Sequence, residues 1–168
     1  MEAQNLSTVL VGVIPGMPDS VLRTAAGFTR QLDAQLVCAF VDVSEYPIEN
    51  LPDGSVRSMP FDPDVIGTET TFPRDLSDRL AGVLDPLHVQ WSTRYLAGEP
   101  AKALSSLAEQ LDAELIVVGT RDSTIRDSVR EFFDGSVATR LAHRQHRPVL
   151  VVPVNPVSAG TPLPWESD

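Results

Sequence analysis

The stretch from Glu114 to Val154, ELIVVGTRDSTIRDSVREFFDGSVATRLAHRQHRPVLVVPV, constrains the fold more than any other part of the chain. An apolar run from Leu115 to Val118 stops at Gly119, and a polar loop follows. Gly135-Ser136 then opens an amphipathic stretch, and a second apolar run covers Val149 to Val152. The predicted elements are a strand, a loop, a helix and a strand. Two β-branched runs joined through a helix cannot close as a tight hairpin, so they enter one sheet in parallel by a right-handed crossover, with helices covering the sheet. The loop between Gly119 and Gly135 therefore leaves the carboxyl end of a strand and enters the amino end of a helix, where open α/β sheets bind ligands. Backbone N–H groups and the helix dipole at Gly135-Ser136 favour an anion at that point.

The remainder repeats the alternation. Thr8 to Ile14 reads as the opening strand, ended by Pro15-Gly16-Met17-Pro18. Asp19 or Ser20 can cap a helix whose core stripe is Val21, Ala25, Phe28 and Leu32, and Leu36 to Val41 is the second strand. Between Asp42 and Pro73 the periodicity breaks at Pro47, Pro52, Pro60, Pro63 and Pro73, which predicts a long loop over 42–73. A loop of that length is a lid, a binding loop or a disordered segment. Leu76, Leu80, Val83, Leu84 and Leu87 mark a second helix, and Val89 to Leu96 alternates through Trp91, Thr93 and Tyr95 as an edge-type strand should. Gly98-Glu99-Pro100 turns into a third helix with Leu104, Leu107, Ala108 and Leu111 inward. Strict alternation of five strands and four helices gives the fold class: α/β, a single doubly wound domain over residues 1–154, followed by a Pro-rich tail at 155–168.

Several of these segments together resemble a known family. VVGT at 117–120, GSVATRLAH at 135–143 and RPVLVVP at 147–153, with GEPAKAL at 98–104 upstream, are similar to the glycine motif and last strand of the universal stress proteins (UspA-like domains). The resemblance implies an adenine-nucleotide alpha-hydrolase-like fold, a five-stranded parallel sheet of order 3-2-1-4-5 flanked by four helices. It also implies a cytoplasmic, non-catalytic stress-response module, and a homodimer. In family members that bind ATP, the glycine motif holds ribose and phosphates. Carried onto this chain, that makes Gly119, Arg121, Gly135, Ser136 and Val137 the candidate cofactor-binding residues.

Two departures weigh against the cofactor. The family's ATP binders close their first strand with an aspartate that meets the adenine, and Ile14 stands at that position here. Asp122 stands where the motif has its second glycine, adding a side chain and a negative charge where backbone should approach phosphate. Arg121, Arg126 and Arg130 are outnumbered by Asp122, Asp127, Glu131 and Asp134 across the loop. The expectation is a regulatory or adaptor module with weakened or lost ATP binding, its cofactor being none or ATP. An ATP-binding sensor is the alternative, and a small hydrolase a weaker one.

Charge and composition narrow the partners. Thirteen Lys and Arg against 23 Asp and Glu give a net charge of −10, which disfavours nucleic acid and anionic membrane. No apolar run approaches a membrane span, and the amino terminus lacks the order of a signal peptide, so a cytoplasmic location is expected. Cys38, the one cysteine, lies in the apolar run QLVCAFV and reads as a buried small hydrophobe. No metal site and no catalytic pair is discernible: Ser136 fits a helix cap with Asp134 competing, and His143, His146, Arg140, Arg144 and Arg147 suit the carboxyl end of a helix. The valine-rich strand 148–154 would be a sheet edge unless paired with its twin, which fits the homodimer. A protein partner recruited by the 42–73 loop is the other expected contact.

Overall fold

The computed structural model describes residues 6–65, 71–120, 135–154 and 160. Its strands are β1 (Ser7–Gly12), β2 (Ala34–Asp42), β3 (Glu45–Asn50), β4 (Val56–Pro60), β5 (Trp91–Ala97), β6 (Ala113–Gly119) and β7 (Val149–Val152). The helices are α1 (Asp19–Gln31), α2 (Arg74–Leu84), α3 (Pro100–Leu111) and α4 (Gly135–Arg144). Five strands pair in parallel in the order β5-β2-β1-β6-β7, which is the predicted 3-2-1-4-5 once the additional pair β3 and β4 is set aside. The central strand explains the unbroken apolar runs: Val9, Leu10 and Val11 of β1 are all fully buried, because helices cover both faces. Cys38 is fully buried on β2, and burial pushes its thiol up to about 12, which keeps it protonated at neutral pH.

The stripe of α1 differs from expectation. Val21, Leu22, Ala25, Ala26 and Thr29 face inward, whereas Phe28 is 36% and Leu32 44% exposed. Two adjacent alanines let the helix lie close to the sheet, which turns the larger Phe28 outward. Leu32 falls at the carboxyl cap, beyond the last turn that packs.

The largest correction concerns residues 42–73, expected to form a long loop. Residues 45–60 instead form an antiparallel hairpin, with Tyr46 opposite Met59 and Asn50 opposite Val56. Its turn is built by Pro52-Asp53-Gly54: the Leu51 N–H donates to the Ser55 carbonyl (2.8 Å), the Gly54 N–H to the Leu51 carbonyl (3.0 Å), and Asp53 Oδ1 accepts from the Ser55 N–H (2.9 Å). Gly54 takes φ +92°, open to glycine and strained for other residues. The prolines do not prevent pairing, because each strand of a two-stranded ribbon has a free edge and Pro60 ends its strand.

A two-stranded ribbon is marginal alone, so the hairpin must borrow stability from the main domain. At its base, Glu45 is 3% exposed and its carboxylate accepts from Ser58 Oγ and from the Tyr95 hydroxyl (3.0 Å). The Tyr95 hydroxyl lies 3.3 Å from Asp42 Oδ2, tying the hairpin to the ends of β2 and β5. Burial, together with the Asp42 and Glu45 carboxylates, holds the Tyr95 phenol above its ordinary range despite the opposing Ser58 hydrogen bond. At its tip, Arg94 Nε donates to the Asp53 carbonyl, and Gln110 Nε2 reaches the Leu51 and Pro52 carbonyls (3.4 Å each).

Arg147, grouped in sequence with the solvated charges after α4, has a structural role. Its side chain is only 8% exposed; Nε donates to the Ala113 carbonyl (2.8 Å), Nη1 meets Glu109 (3.1 Å) and Nη2 meets Asp112 (3.2 Å). It thereby clamps the approach to β7 against the end of α3 and the start of β6. Arg147→Ala is expected to lower stability by about 1–3 kcal/mol through lost packing and an unpaired carbonyl. Asp112→Asn should leave the urea midpoint nearly unchanged, since the Asp112 side chain is 92% exposed. Equal losses in the two variants would mean that surface charge, not the buried stem, makes the clamp.

Candidate functional site

β1 and β6 are adjacent and parallel, with Val11 beside Val117, so both chains leave the sheet at the same level and open a crevice between them. On the β1 side the chain passes through Val13, whose N–H donates to the Ala39 carbonyl (2.9 Å), to Ile14. Ile14 is 2% exposed and Met17 1%, so the turn after β1 folds its apolar side chains into the core. Arg79 of α2 fixes that turn by donating to the Met17 carbonyl and to Asp19 Oδ1 (3.0 Å).

On the β6 side, Gly119 ends the strand opposite Val152, and the Thr120 N–H donates to the Val152 carbonyl (2.8 Å). The Thr120 hydroxyl accepts from the Val154 N–H (2.8 Å), which holds the exit of β7 beside the crevice. α4 begins at Gly135, placing Ser136 inside the first turn; the capping position falls to residue 134, which lies outside the described residues. Arg121, Asp122 and the rest of 121–134 also lie outside them. Of the candidate binding residues, Gly119 ends β6 at the crevice, and Gly135 and Ser136 open α4, which packs on α3 and β7. Val137 is 3% exposed, and its side chain belongs to the core with Leu141, which has no exposure.

The carboxylates at the end of β2 and after β5 are already engaged. Asp42, closing β2, accepts from the Ser44 N–H (2.9 Å) and Ser44 Oγ (2.6 Å) with Oδ1, and faces Tyr95 with Oδ2. Glu99 caps α3, accepting from the Ala101 N–H (3.1 Å) and the Lys102 N–H (2.9 Å), while Arg140 of α4 donates to it (3.2 Å). Partial burial works to raise its pKa, but the two N–H groups and the Arg140 guanidinium prevail and hold it below the usual carboxylate range. The contribution of Glu99 to α3 is thus present at neutral pH and lost as the pH falls through that lowered value. Among the described residues no group of three or more His, Cys, Asp or Glu side chains is placed to hold a metal, and no helix is long and apolar enough to cross a membrane.

A cavity of about 340 Å³ lies away from this crevice, between the hairpin, the end of β5 and α3. Sequence reasoning missed it because it depends on the hairpin. The available signal was Pro52-Asp53-Gly54, a turn between two short stretches of alternating residues.

Comparison with known proteins agrees with this architecture. The sequence pattern described as "Universal stress protein family" matches residues 6–153. No curated protein matches the sequence. Among solved structures, a universal stress protein in complex with cAMP is 20% identical with a TM-score of 0.56, covering 89% of this chain and 98% of that one. The universal stress protein from Archaeoglobus fulgidus in complex with dAMP is 18% identical, TM-score 0.54, covering 87% and 97%. A family protein from Arabidopsis thaliana with AMP bound is 16% identical, TM-score 0.51, covering 89% and 92%. At these identities the likeness establishes the fold, which is adenine-nucleotide alpha-hydrolase-like.

Proposed function

This chain belongs to the universal stress protein family, and from that premise we propose that it is a cytoplasmic, non-catalytic regulatory or adaptor module whose ATP binding is weakened or lost. The observation that carries the reading is Ile14. It stands where ATP-binding relatives have the adenine-contacting aspartate, and its side chain is 2% exposed, so that position offers an adenine no polar partner. Asp42 does not stand in for it, because its carboxylate oxygens are engaged by Ser44 and by Tyr95 of β5. A hydrogen bond to a buried polar group contributes about 1–3 kcal/mol to discrimination in such a site, so losing one weakens binding by one to two orders of magnitude.

A second reading, a nucleotide sensor, is favoured by the relatives solved with cAMP, dAMP and AMP, and by the glycines at 119 and 135, which match the family's glycine motif. Nucleotide content separates the two. Gently purified protein would be denatured, the released small molecules resolved by anion exchange, and ATP, AMP and cAMP titrated calorimetrically. The regulatory reading expects no bound nucleotide and no heat at millimolar ligand. Stoichiometric nucleotide would overturn it and make Gly119, Arg121 and Ser136 the residues to mutate.

The same module is proposed to act as a homodimer through β7. That strand ends the sheet, and Val151 on it is 42% exposed, an apolar edge that a second copy would cover. Val151→Lys is expected to convert a dimer mass in light scattering to a monomer mass; an unchanged dimer would place the interface elsewhere.

A further inference from the structure

We infer that the cavity between the hairpin and α3 is a binding site for a small aromatic carboxylic acid, separate from the nucleotide crevice. The cavity, of about 340 Å³, falls within the ~300–1,000 Å³ typical of small-molecule sites, and no residue of β1, β6 or α4 lines it. It exists because a ribbon bridges a helix and a sheet edge. The hairpin is held at its base by Glu45 and Tyr95 and at its tip by Arg94 and Gln110, leaving space between the two anchorages.

The chemistry of the walls selects the ligand. Leu96 at the end of β5, Leu107 of α3 and Val56 of β4 give an apolar floor, since all three are buried and all three line the cavity. Tyr46 and Phe61 also line it, with ring centroids 5.3 Å apart and planes inclined at 48°. Both rings remain substantially exposed, at 38% and 63%, so a flat aromatic guest would gain contact with faces that the protein itself leaves in water.

The charge of the guest follows from α3. Residues 102, 106 and 110 recur at helical spacing and present Lys102, Ser106 and Gln110 along the cavity. Lys102 takes part in none of the ion pairs among the described residues. The acid beside it, Glu99, is engaged by two backbone N–H groups and by Arg140, leaving the lysine as the uncompensated charge at the cavity. The overall charge of −10 opposes an incoming anion at long range, but beyond about 8–10 Å that repulsion is largely screened at physiological salt. Within that distance the ammonium of Lys102 is the attractive charge, since the Glu99 carboxylate, which also lines the cavity, is offset by Arg140; the amide and hydroxyl groups of Asn50, Gln110 and Ser106 supply neutral hydrogen-bonding partners.

The probe is 2-naphthoate, with 2-naphthalenemethanol as its uncharged counterpart, each titrated into the full chain by calorimetry. Wild-type protein is expected to bind one naphthoate at micromolar to submillimolar concentration, and AMP added at millimolar concentration should leave that binding unchanged. Ser106→Trp, at an exposed position where folding is not at risk, should abolish binding of both compounds by filling the cavity. Lys102→Gln should weaken naphthoate roughly tenfold and leave the alcohol unaffected. The assignment fails if wild-type protein shows no naphthoate binding below millimolar concentration. It fails equally if Ser106→Trp binds as wild type, if Lys102→Gln weakens neither or both compounds alike, or if AMP displaces naphthoate, which would return the site to the crevice.

Discussion

Ile14→Asp is expected to destabilise the chain by at least ~3 kcal/mol at neutral pH, a large share of the ~5–15 kcal/mol that holds a domain folded. Part of that loss is the packing of a side chain that is 2% exposed, and part is the desolvation of a carboxylate. The parts separate by pH. Desolvation raises the folded-state pKa of the new aspartate above its unfolded value of about 3.9. Below the unfolded value both states are neutral and only the packing loss remains; the electrostatic penalty grows as the pH rises toward the folded-state pKa. The deficit relative to wild type should therefore be larger at pH 7 than at pH 4 in urea melts, whereas Ile14→Asn should show little such dependence. A deficit independent of pH would mean that the carboxylate reaches water. The crevice would then be open at this position, and the argument against adenine binding would lose its basis.

Gly54→Val is the second large effect. A Cβ built on Gly54 would lie 2.5 Å from Leu107 Cδ1, and φ is +92°, so the substitution meets both a steric and a conformational barrier. Leu107 Cδ1 can give way only toward the cavity that it borders, so the positive φ sets the larger part of the barrier. Strain and overpacking together are expected to cost roughly 2–4 kcal/mol. The hairpin depends on its seat on α3, so the loss should appear there first. Amide exchange at Leu51, whose N–H is bonded to Ser55, should accelerate, while that of Leu10 on the central strand should be affected much less. Unchanged exchange at Leu51 and an unchanged urea midpoint would show that the ribbon does not rely on that contact. If the hairpin does open, naphthoate affinity should fall with it, because one wall of the cavity has moved.

The crevice and the cavity illustrate different routes from sequence to site. The crevice was legible because its position follows from topology: a parallel crossover places the ends of β1 and β6 side by side whatever the loop contains. The departure at Ile14 was visible only through the resemblance to the family, as an apolar residue where its ATP binders carry an aspartate. The cavity was not legible, because its walls come from Tyr46, Leu96, Lys102 and Phe61, which are brought together only when the hairpin docks.

By itself, the sequence determined the parallel sheet, its flanking helices and the burial of Cys38. Those features rest on local periodicity and on long apolar runs that have no other way to leave water. Only the tertiary structure decided what Pro47, Pro52 and Pro60 would do, since a ribbon that is marginal alone persists through Tyr95, Arg94 and Gln110. The same holds for Arg147. Its position after a helix suggested a solvated charge, yet packing against Ala113, Glu109 and Asp112 buries it. In each case the deciding partner lies tens of residues away, beyond the reach of any local pattern, and the energy that fixes the outcome exists only once both segments are in place.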